Sequence, residues 1–416
     1  MRRFSQLSTL RPAAGGAALT LYQYEICPFC NKVKALLDLL AVPYTTVEVN
    51  PMSKGELKPW SVDVNGSLGD DVTAPYIRVP VLTTGDGEPQ TNDSAAIVAR
   101  IANDLWRDGD DRSLLRAVPA PPSFTAGSAL AEVLTAARGA LDPEAVDEFM
   151  AARRQLRSTT ESERCAGLSQ LRAIFAAADG SELAKFGDRF RAAADSVEHG
   201  VLAHTHGDAS TDPSVAANLA WSQWADNQIA MLMFPVITRS PSDSWKAFSY
   251  AGGVQAATWG TKDRVLNRIG GAFFMWLAQG KIKKKYAVED EQAELRAALR
   301  QWSDDGLAGS VAGAGTNAGA SVGDEGGPFA GAGATPSLAD VAVFGSIRAI
   351  DGLPAHDALF RAPLDAAREP SEEDDVEASS FVRLREWYVA MEREVGTSAA
   401  VGGASPWQKR VDDRRK

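Results

Sequence analysis

The sequence predicts two domains of different class, an α/β domain near the start of the chain and a larger all-α domain after it. The first fifty residues carry a strand, helix and strand pattern, and the next fifty add two short strands and a helix. Helical patterns fill most of the chain beyond residue 216. With 416 residues, the chain is long enough for two or three domains with cores of their own.

The first unit is a predicted β–α–β arrangement. Residues 19–24 form a short apolar run that is rich in aromatic and β-branched side chains, as in a buried strand. Residues 31–40 repeat apolar side chains with the spacing of one helix face, and Pro28 stands where a first turn tolerates a missing N–H. Pro43 ends this helix, and residues 44–49 alternate as a second strand. Right-handed crossover geometry makes the two strands parallel.

The following residues complete the α/β domain. Residues 76–83 and 89–92 flank a Gly-Asp-Gly turn and predict a hairpin, and Asp93-Ser94 caps a helix that continues through Ile101. This order of elements predicts a thioredoxin-like domain, with a four-stranded sheet and helices on both of its faces.

The rest of the chain is predicted to be helical, with interruptions. A Gly/Ala-rich stretch offers too little apolar side chain to offset the entropy of ordering, so it is expected to be a mobile surface loop. The predicted segments are a transit peptide at 1–17, the thioredoxin-like domain at 18–105, a linker and helical insertion at 106–215, the all-α domain at 216–396 with the Gly/Ala-rich loop near 306–333, and a tail at 397–416.

The amino-acid composition and the net charge limit the classes of function that this chain can have. The net charge of −11 and the pI near 5.0 disfavour nucleic acid as a partner. Three cysteines exclude a disulfide-rich scaffold, and no run of 18 apolar residues predicts a transmembrane helix, so a soluble or peripheral protein is expected. Arg2, Arg3 and Arg11 precede the first acidic residue, Glu25, which predicts a mitochondrial address. A plastid address and a disordered basic tail on a cytoplasmic protein are the alternatives.

The strongest chemical signal is Cys27-Pro28-Phe29-Cys30 at the predicted strand-to-helix turn. Unpaired N–H groups and the helix dipole would lower the pKa of the Cys27 thiol and make it a nucleophile, with Cys30 as the resolving thiol and Lys32 as a nearby positive charge. The alternatives are half a zinc site or two structural cysteines. Because the other Cys and His residues supply no matching second pair of ligands, no metal site is predicted.

Two further elements point to a peptide-like ligand. If the Val79-Pro80 bond is cis, the Val79 backbone can pair with an extended ligand, although a plain edge-strand proline is the commoner case. Asp93 and Ser94, at a helix N-terminus, either cap that helix or bind the ends of a zwitterion. Taken together with Cys27, they predict a glutathione site in which Val79 holds the backbone and Asp93 and Ser94 hold the γ-glutamyl end.

The chain resembles the membrane-associated prostaglandin E synthase type 2 family, in which a glutaredoxin-like domain precedes a glutathione S-transferase-like helical domain. The resemblance covers about 19–104 and 221–394. The motifs that carry it are Leu-Thr-Leu-Tyr-Gln-Tyr-Glu-Ile-Cys-Pro-Phe-Cys-Asn-Lys-Val-Lys at 19–34, Val-Pro-Tyr at 42–44, Val-Glu-Val-Asn-Pro at 47–51, Val-Pro-Val-Leu at 79–82, Asn-Asp-Ser at 92–94, Trp-Ser-Gln-Trp-Ala-Asp at 221–226, and Pro-Ser-Leu-Ala-Asp-Val-Ala-Val-Phe-Gly at 336–345.

The resemblance implies isomerisation of the endoperoxide prostaglandin H to prostaglandin E, with Cys27 as the catalytic thiol. Tyr24 and Phe29 match positions that shape the family's site, and Val79, Asp93 and Ser94 match its glutathione-binding positions. A thiolate can attack the weak O–O bond, and Tyr24 can donate a hydrogen bond to the oxygen that becomes anionic. Family members are also described as binding haem with glutathione, but no haem ligand is assigned here.

Two other functions fit the same residues. One is a glutaredoxin-like thiol-disulfide oxidoreductase or glutathione transferase that acts on another substrate, and the other is a non-catalytic adaptor that binds glutathione or haem.

The sequence gives fewer indications of the surfaces that bind partners than of the thiol site. The lysines at 281–285 and the aromatic residues just before them indicate either contact with anionic lipid or an ordinary helix end over a core. Trp221 and Trp224 are expected in the core, with the cleft between the domains as the alternative. A homodimer is expected by analogy alone.

Overall fold

The computed structural model describes most of both predicted domains. The described residues are 19–61, 75–84, 90–108, 113–119, 121, 133–134, 137–141, 145–156, 161–177, 183, 186–187, 190, 212–249, 259–286, 288–308, 327–356, 358–359 and 372–401. The predicted transit peptide, residues 309–326 of the Gly/Ala-rich loop and residues 402–416 of the tail lie outside them. No helix among the described residues is long and apolar enough to cross a membrane.

The first domain contains the predicted four-stranded sheet. Its elements are β1 (Leu19–Gln23), α1 (Pro28–Leu39), β2 (Tyr44–Glu48), a 3₁₀ helix (Gly55–Trp60), β3 (Val81–Thr84), β4 (Gln90–Asn92) and α2 (Ser94–Asp108). The strand order is β2-β1-β3-β4. β1 and β2 are parallel, as predicted, and β3 and β4 are antiparallel. The thioredoxin-like fold is therefore confirmed.

The two faces of the sheet are covered differently. Leu21 and Leu82 point into the main core together with Val33 of α1 and Ile97 of α2, so both α-helices lie on one face. The opposite face is covered by Leu57 and its neighbours in the 3₁₀ helix. The prediction of helices on both faces therefore holds only with a short 3₁₀ helix on the second face.

The third strand is shorter than predicted. The expected strand over 76–83 begins at Val81, after a cis peptide bond between Val79 and Pro80. Tyr76 is buried outside the strand, and its N–H donates to the Ser61 carbonyl rather than to a sheet neighbour.

The second domain is helical, as predicted. Its helices are α5 (Pro213–Ala225), α6 (Met231–Ile237), α7 (Pro241–Ala247), α8 (Thr261–Leu266), α9 (Ala272–Tyr286), α10 (Glu291–Gln301), α11 (Leu338–Arg348) and α12 (Glu372–Val395), after α3 (Val146–Gln155) and α4 (Glu161–Ala176) of the insertion. π-turns at Asp226–Ala230, Asn267–Gly271 and Trp302–Leu307 follow α5, α8 and α10. Helix α12 begins within a stretch that is acidic in sequence.

The insertion has its own small core. Phe149 of α3 and Leu171 and Phe175 of α4 belong to a hydrophobic cluster that is separate from the main core. The rings of Phe175 and Phe190 stack with centroids 4.1 Å apart. The described part of this region therefore packs as a satellite helical unit.

Several buried tryptophans pack against one another in the main core of the helical domain. Trp221 and Trp224 are 0% and 2% exposed, so they belong to the core and do not line a cleft. The rings of Trp221 and Trp302 meet edge to face at 4.8 Å, and Trp387 packs on Trp302. Phe329 is also buried, so the described ends of the predicted Gly/Ala-rich loop are packed.

The two domains meet where α1 packs against α11. Gly345 of α11 lies over the backbone of α1, and a Cβ at this position would come within 2.8 Å of Lys32 N. Two buried ion pairs cross the contact: Lys32 Nζ is 2.6 Å from Asp226 Oδ2, and Arg348 Nη1 is 2.9 Å from Asp38 Oδ2. The cysteine turn, at the start of α1, is therefore held against the helical domain.

Candidate functional site

The cysteine turn has the predicted geometry. Cys27 is the N-cap residue of α1, with φ −81° and ψ 120°, and Pro28 is the first helical residue. The Cys27 N–H donates to the Tyr24 carbonyl at 3.0 Å. The Asn31 side chain donates to the carbonyls of Glu25 and Cys27 at 2.7 and 3.0 Å, and these two hydrogen bonds stabilise the turn. Cys27 is partly exposed and Cys30 is buried, and neither forms a disulfide.

The two thiols differ in acidity. A hydrogen bond from the Cys30 side chain lowers the pKa of Cys27, and the N–H groups of Cys30 and Phe29 add to this effect against the opposing effect of burial. Burial raises the pKa of Cys30 well above its usual value, and its interaction with Cys27 raises it further. Cys27 is therefore the member of the pair that ionises first, which suits a nucleophile.

Tyr24 and Phe29 both lie beside this turn and are half-buried. Burial, followed by the negative charges of Cys27 and Cys30, raises the pKa of the Tyr24 hydroxyl far above its usual value. Tyr24 therefore keeps its proton at neutral pH and can donate a hydrogen bond. Tyr24 also packs in the same small cluster as Val79, which places the turn next to the start of β3.

One backbone hydrogen bond connects the two segments that contain the predicted glutathione-binding residues. The Asp93 N–H donates to the Pro80 carbonyl at 3.1 Å, which joins the start of α2 to the residue before β3. Asp93 has φ +73°, a left-handed conformation that is uncommon for a residue with a side chain. One of its carboxylate oxygens accepts the Ala95 N–H at 2.8 Å, and Ser94 is buried. Capping is thus part of the role of Asp93.

The helical domain contributes a residue to the site that sequence reasoning missed. Asp226 lies electrostatically close to both Cys27 and Asp93, and it raises the pKa of the Cys27 thiol. Burial raises the pKa of Asp226 itself, although Lys32 opposes this shift. Lys32 is fully buried and also donates to Ser222 at 3.3 Å. The positive charge that Lys32 was predicted to supply near the cysteines is paired with the carboxylate of Asp226.

A second missed feature is a buried charge network behind the turn. Lys34 Nζ lies 3.0 Å from Glu25 Oε2, and Gln23 Nε2 donates to both Glu25 and Glu48. Burial, followed by the charge of Glu25, raises the pKa of Glu48 well above its usual value. The sequence shows Glu25 two residues after β1 and Glu48 at the end of β2, but these positions do not reveal the partners of the two carboxylates.

The structure offers little for metal or haem chemistry. Within the described ranges, no group of three or more His, Cys, Asp or Glu side chains could hold a metal ion. Of the side chains that usually ligate haem iron, the described residues of the cysteine turn supply Tyr24, Cys27 and Cys30. Cys30 is fully buried, and Cys27 is the candidate nucleophile. His356 packs against Tyr388 in the helical domain, with ring centroids 5.3 Å apart. The haem expectation has no support here, and no step is derived through haem.

Known proteins match both parts of the chain. The glutathione S-transferase N-terminal domain family matches residues 21–104. A Mus musculus protein named prostaglandin E synthase 2 is 25% identical over 398 residues, which are 95% of this chain and 75% of the relative. A Danio rerio protein of the same name is 27% identical over 349 residues, 82% of this chain and 67% of the relative.

Among solved structures, a trimeric glutathione transferase of Leishmania aligns with 91% of this chain and 98% of its own, at 14% identity and a TM-score of 0.17. A TM-score this low adds nothing to the fold assignment. The range of the family match, residues 21–104, includes the cysteine turn. The chain thus has a thioredoxin-like domain that matches the glutathione S-transferase N-terminal domain family, followed by a helical domain, and it is similar over most of its length to proteins named prostaglandin E synthase 2.

Proposed function

We propose that this protein is a glutathione-dependent prostaglandin E synthase in which the Cys27 thiolate isomerises prostaglandin H. The relatives and the N-terminal domain match support a glutathione-related function. The observation that carries the finer proposal is the placement of Cys27 at the N-terminus of α1, where hydrogen bonds from Cys30 and Phe29 lower its pKa.

The reaction is balanced without an external oxidant. The Cys27 thiolate attacks one endoperoxide oxygen, so that an S–O bond forms and the O–O bond breaks. The other oxygen leaves as an alkoxide and takes a proton, and Tyr24, whose raised pKa keeps its hydroxyl protonated, donates a hydrogen bond to it. Loss of the C–H proton beside the S-bound oxygen then forms the ketone, breaks the S–O bond and releases the thiolate. The net change is an isomerisation.

Glutathione keeps the two cysteines reduced in this proposal. Its backbone pairs with Val79, and its γ-glutamyl end lies at Asp93 and Ser94, next to the helix N-terminus. Two glutathione molecules reduce any Cys27–Cys30 disulfide and are themselves oxidised to one disulfide, which returns the Cys27 thiolate.

The test is turnover of prostaglandin H by the full chain with glutathione, with product followed by mass spectrometry. Wild type should form prostaglandin E above the spontaneous rate, and Cys27→Ser should fall to that background, roughly a hundredfold or greater loss. Cys30→Ser serves as the matched cysteine control and should retain most of the activity. Wild-type turnover at background would overturn the proposal.

A second candidate is thiol-disulfide exchange of the glutaredoxin type. The observation in its favour is the hydrogen bond between the two cysteine side chains, together with their opposite pKa shifts, which suits a dithiol pair. Reduction of a small disulfide by the protein with glutathione separates the two functions. Loss of disulfide reduction in Cys30→Ser, with no prostaglandin E formed by either protein, would favour this candidate.

We further propose a mitochondrial location, on the basis of Arg2, Arg3 and Arg11 without nearby acidic residues. Residues 1–24 fused to a fluorescent protein should bring it to mitochondria, and Arg→Gln changes at all three positions should leave it in the cytosol. A fluorescent signal in plastids, or an unchanged location, would contradict this proposal.

A further inference from the structure

One step of the proposed isomerisation needs a base. As the ketone forms, the carbon beside the S-bound oxygen loses a proton, and the S–O bond breaks. The Cys27 sulfur is bonded to oxygen at this stage and cannot take that proton. Burial raises the pKa of Cys30, and burial also raises the pKa of Tyr24, so both groups still hold protons of their own. The base is therefore a different group.

Among the described residues, three carboxylates near the cysteine turn are closed off or already in use. The side chain of Glu25 is 1% exposed, and Glu48 is 2% exposed, because both belong to the buried charge network behind the turn. Asp93 accepts the Ala95 N–H at the start of α2, and in the proposed site it holds the γ-glutamyl end of glutathione. A substrate on Cys27 does not reach the first two, and the third has another role.

Asp226 reaches the cysteine turn from the helical domain. It is the first residue of the π-turn after α5, and this π-turn packs against α1 and α11. Turns of this kind are frequent at functional sites. The Asp226 side chain is 15% exposed, whereas its partner Lys32 is completely buried. The charge of Asp226 acts on Cys27, and that of Asp93 acts on Asp226, so this accessible carboxylate lies near both parts of the site.

The surroundings of Asp226 suit a base. The Lys32 ammonium donates to its two carboxylate oxygens at 2.7 and 2.6 Å, which fixes their orientation and favours the ionised form. Lys32 is itself held by Ser222 at 3.3 Å. Burial raises the pKa of Asp226 above its ordinary value, and a carboxylate with a higher pKa accepts a proton more readily.

The position of Asp226 is unfavourable for the nucleophile alone. Its negative charge raises the pKa of Cys27 and so reduces the fraction of reactive thiolate. An ion pair that only joined the two domains would not need to lie beside the thiol, and the pair of Arg348 with Asp38 joins them near the other end of α1. A second function at the site accounts for the placement of this carboxylate.

We propose, on the basis of the function given above, that the Asp226 carboxylate is the base that takes the proton from the carbon beside the S-bound oxygen. The electron pair of the C–H bond then forms the second bond of the ketone, and the S–O pair returns to Cys27 as the thiolate. Asp226 passes its proton to water, and the alkoxide takes one proton from water. The reaction therefore remains a net isomerisation.

Turnover of prostaglandin H by the full chain tests this role. Asp226→Asn should lower kcat for prostaglandin E roughly a hundredfold or more, the usual contribution of a general base. Cys27 should react with iodoacetamide at least as fast as in wild type, because the loss of a negative charge lowers its pKa. Asp226→Glu keeps a carboxylate and should recover part of the rate.

An isotope effect separates proton removal from a merely structural role. Deuterium at the carbon that loses its proton should slow Asp226→Asn by a larger factor than wild type, because the C–H step limits the rate when its base is missing. Asp263→Asn removes an exposed carboxylate of α8 and is the matched control, with the kcat and the isotope effect of wild type. Circular dichroism should show that all variants are folded.

Three results would overturn the role of Asp226 and leave the proposed function standing. They are a wild-type kcat in Asp226→Asn, a loss of kcat with equally slow alkylation of Cys27, and equal isotope effects in the variant and in wild type. Wild-type turnover at the spontaneous rate is a different result, since it rejects the proposed function and the role of Asp226 together.

Discussion

The sulfur of Cys27 lies between groups that act in opposite directions. Hydrogen bonds from Cys30 and from the first N–H groups of α1 lower its pKa, whereas burial and the carboxylate of Asp226 raise it. Lys32, which the sequence places beside the cysteines, directs its ammonium group to Asp226 at 2.6 Å. The acidity of the thiol is therefore set by residues of both domains.

Asp226→Asn should lower the pKa of Cys27, by roughly half a unit to one unit, because a negative charge is removed and Lys32 loses its counter-ion. The rate of iodoacetamide reaction against pH measures this pKa directly. Asp263→Asn, an exposed acidic residue of α8, is the control and should leave the profile unchanged. An increase in the Cys27 pKa in Asp226→Asn would refute this account of the site.

At the scale of elements, the contact between α1 and α11 depends on the absence of a side chain at Gly345. A Cβ there would come within 2.9 Å of the Asn31 carbonyl oxygen and 2.8 Å of Lys32 N. Both are backbone atoms, which cannot rotate away. The close approach also brings Arg348 of α11 to Asp38 near the end of α1.

Gly345→Ala should lower the free energy of unfolding by about 2 kcal/mol or more, because α1 must move to admit the methyl group. Gly280→Ala is the matched control, since nothing lies within 4 Å of its Cβ position in α9. That change should stabilise the protein by about 0.5–1 kcal/mol, as expected for Gly in a helix interior. Urea unfolding measures both, and equal effects of the two substitutions would contradict the proposed close approach.

Glu48, at the end of β2, links stability to pH. Its folded-state pKa lies above the unfolded value, so its favourable contribution is complete below the unfolded pKa and is lost as the pH rises through the folded pKa. Glu48→Gln cannot titrate and should remove that part of the pH dependence. Wild type should lose stability relative to Glu48→Gln by up to about 1.4 kcal/mol per pH unit above pH ~4.3.

Urea unfolding of both proteins from acid to neutral pH tests the Glu48 prediction. Gln23 and the Glu25 N–H donate to the Glu48 carboxylate, Lys34 pairs with Glu25, and all three residues are retained in the variant. If the difference in the free energy of unfolding between the two proteins is constant across this pH range, Glu48 has the same pKa in the folded and unfolded states, which contradicts the prediction.

At the scale of the whole molecule, the end of the described chain returns to the first domain. Ala400 forms a parallel bridge with Tyr44 of β2, and the Val401 N–H donates to the Tyr44 carbonyl at 2.7 Å. The Ala399 N–H and the Ser398 hydroxyl donate to Asp38, which also pairs with Arg348. The start of the predicted tail therefore covers the outer edge of the sheet.

Removing residues 397–416 should lower the free energy of unfolding by roughly 1–3 kcal/mol, because several partly buried hydrogen bonds to Asp38 and Tyr44 are lost. Removing residues 402–416 alone leaves those bonds in place and is the matched control. Thermal unfolding of both truncated chains measures the difference. If the two chains unfold together, the edge contact contributes nothing.

Local sequence patterns were sufficient to predict β1 and α1 and to place the cysteine turn between them. The strand run at 19–24 and the helix spacing after Pro28 depend on neighbours in sequence, and the structure confirms β1 and α1. The sequence by itself therefore determined the two fold classes and the placement of Cys27 at a helix N-terminus.

The partners of buried charges were decided by the tertiary structure. Lys32 and Asp226 are 194 residues apart in sequence, and Asp38 meets Arg348 across the same contact. The exposure of Phe273 and Phe274 also depends on which side of their helix packs inward. Periodicity describes a helix and its apolar side chains, but pairing and exposure depend on distances between segments far apart in the chain, and those distances exist only once the chain has folded.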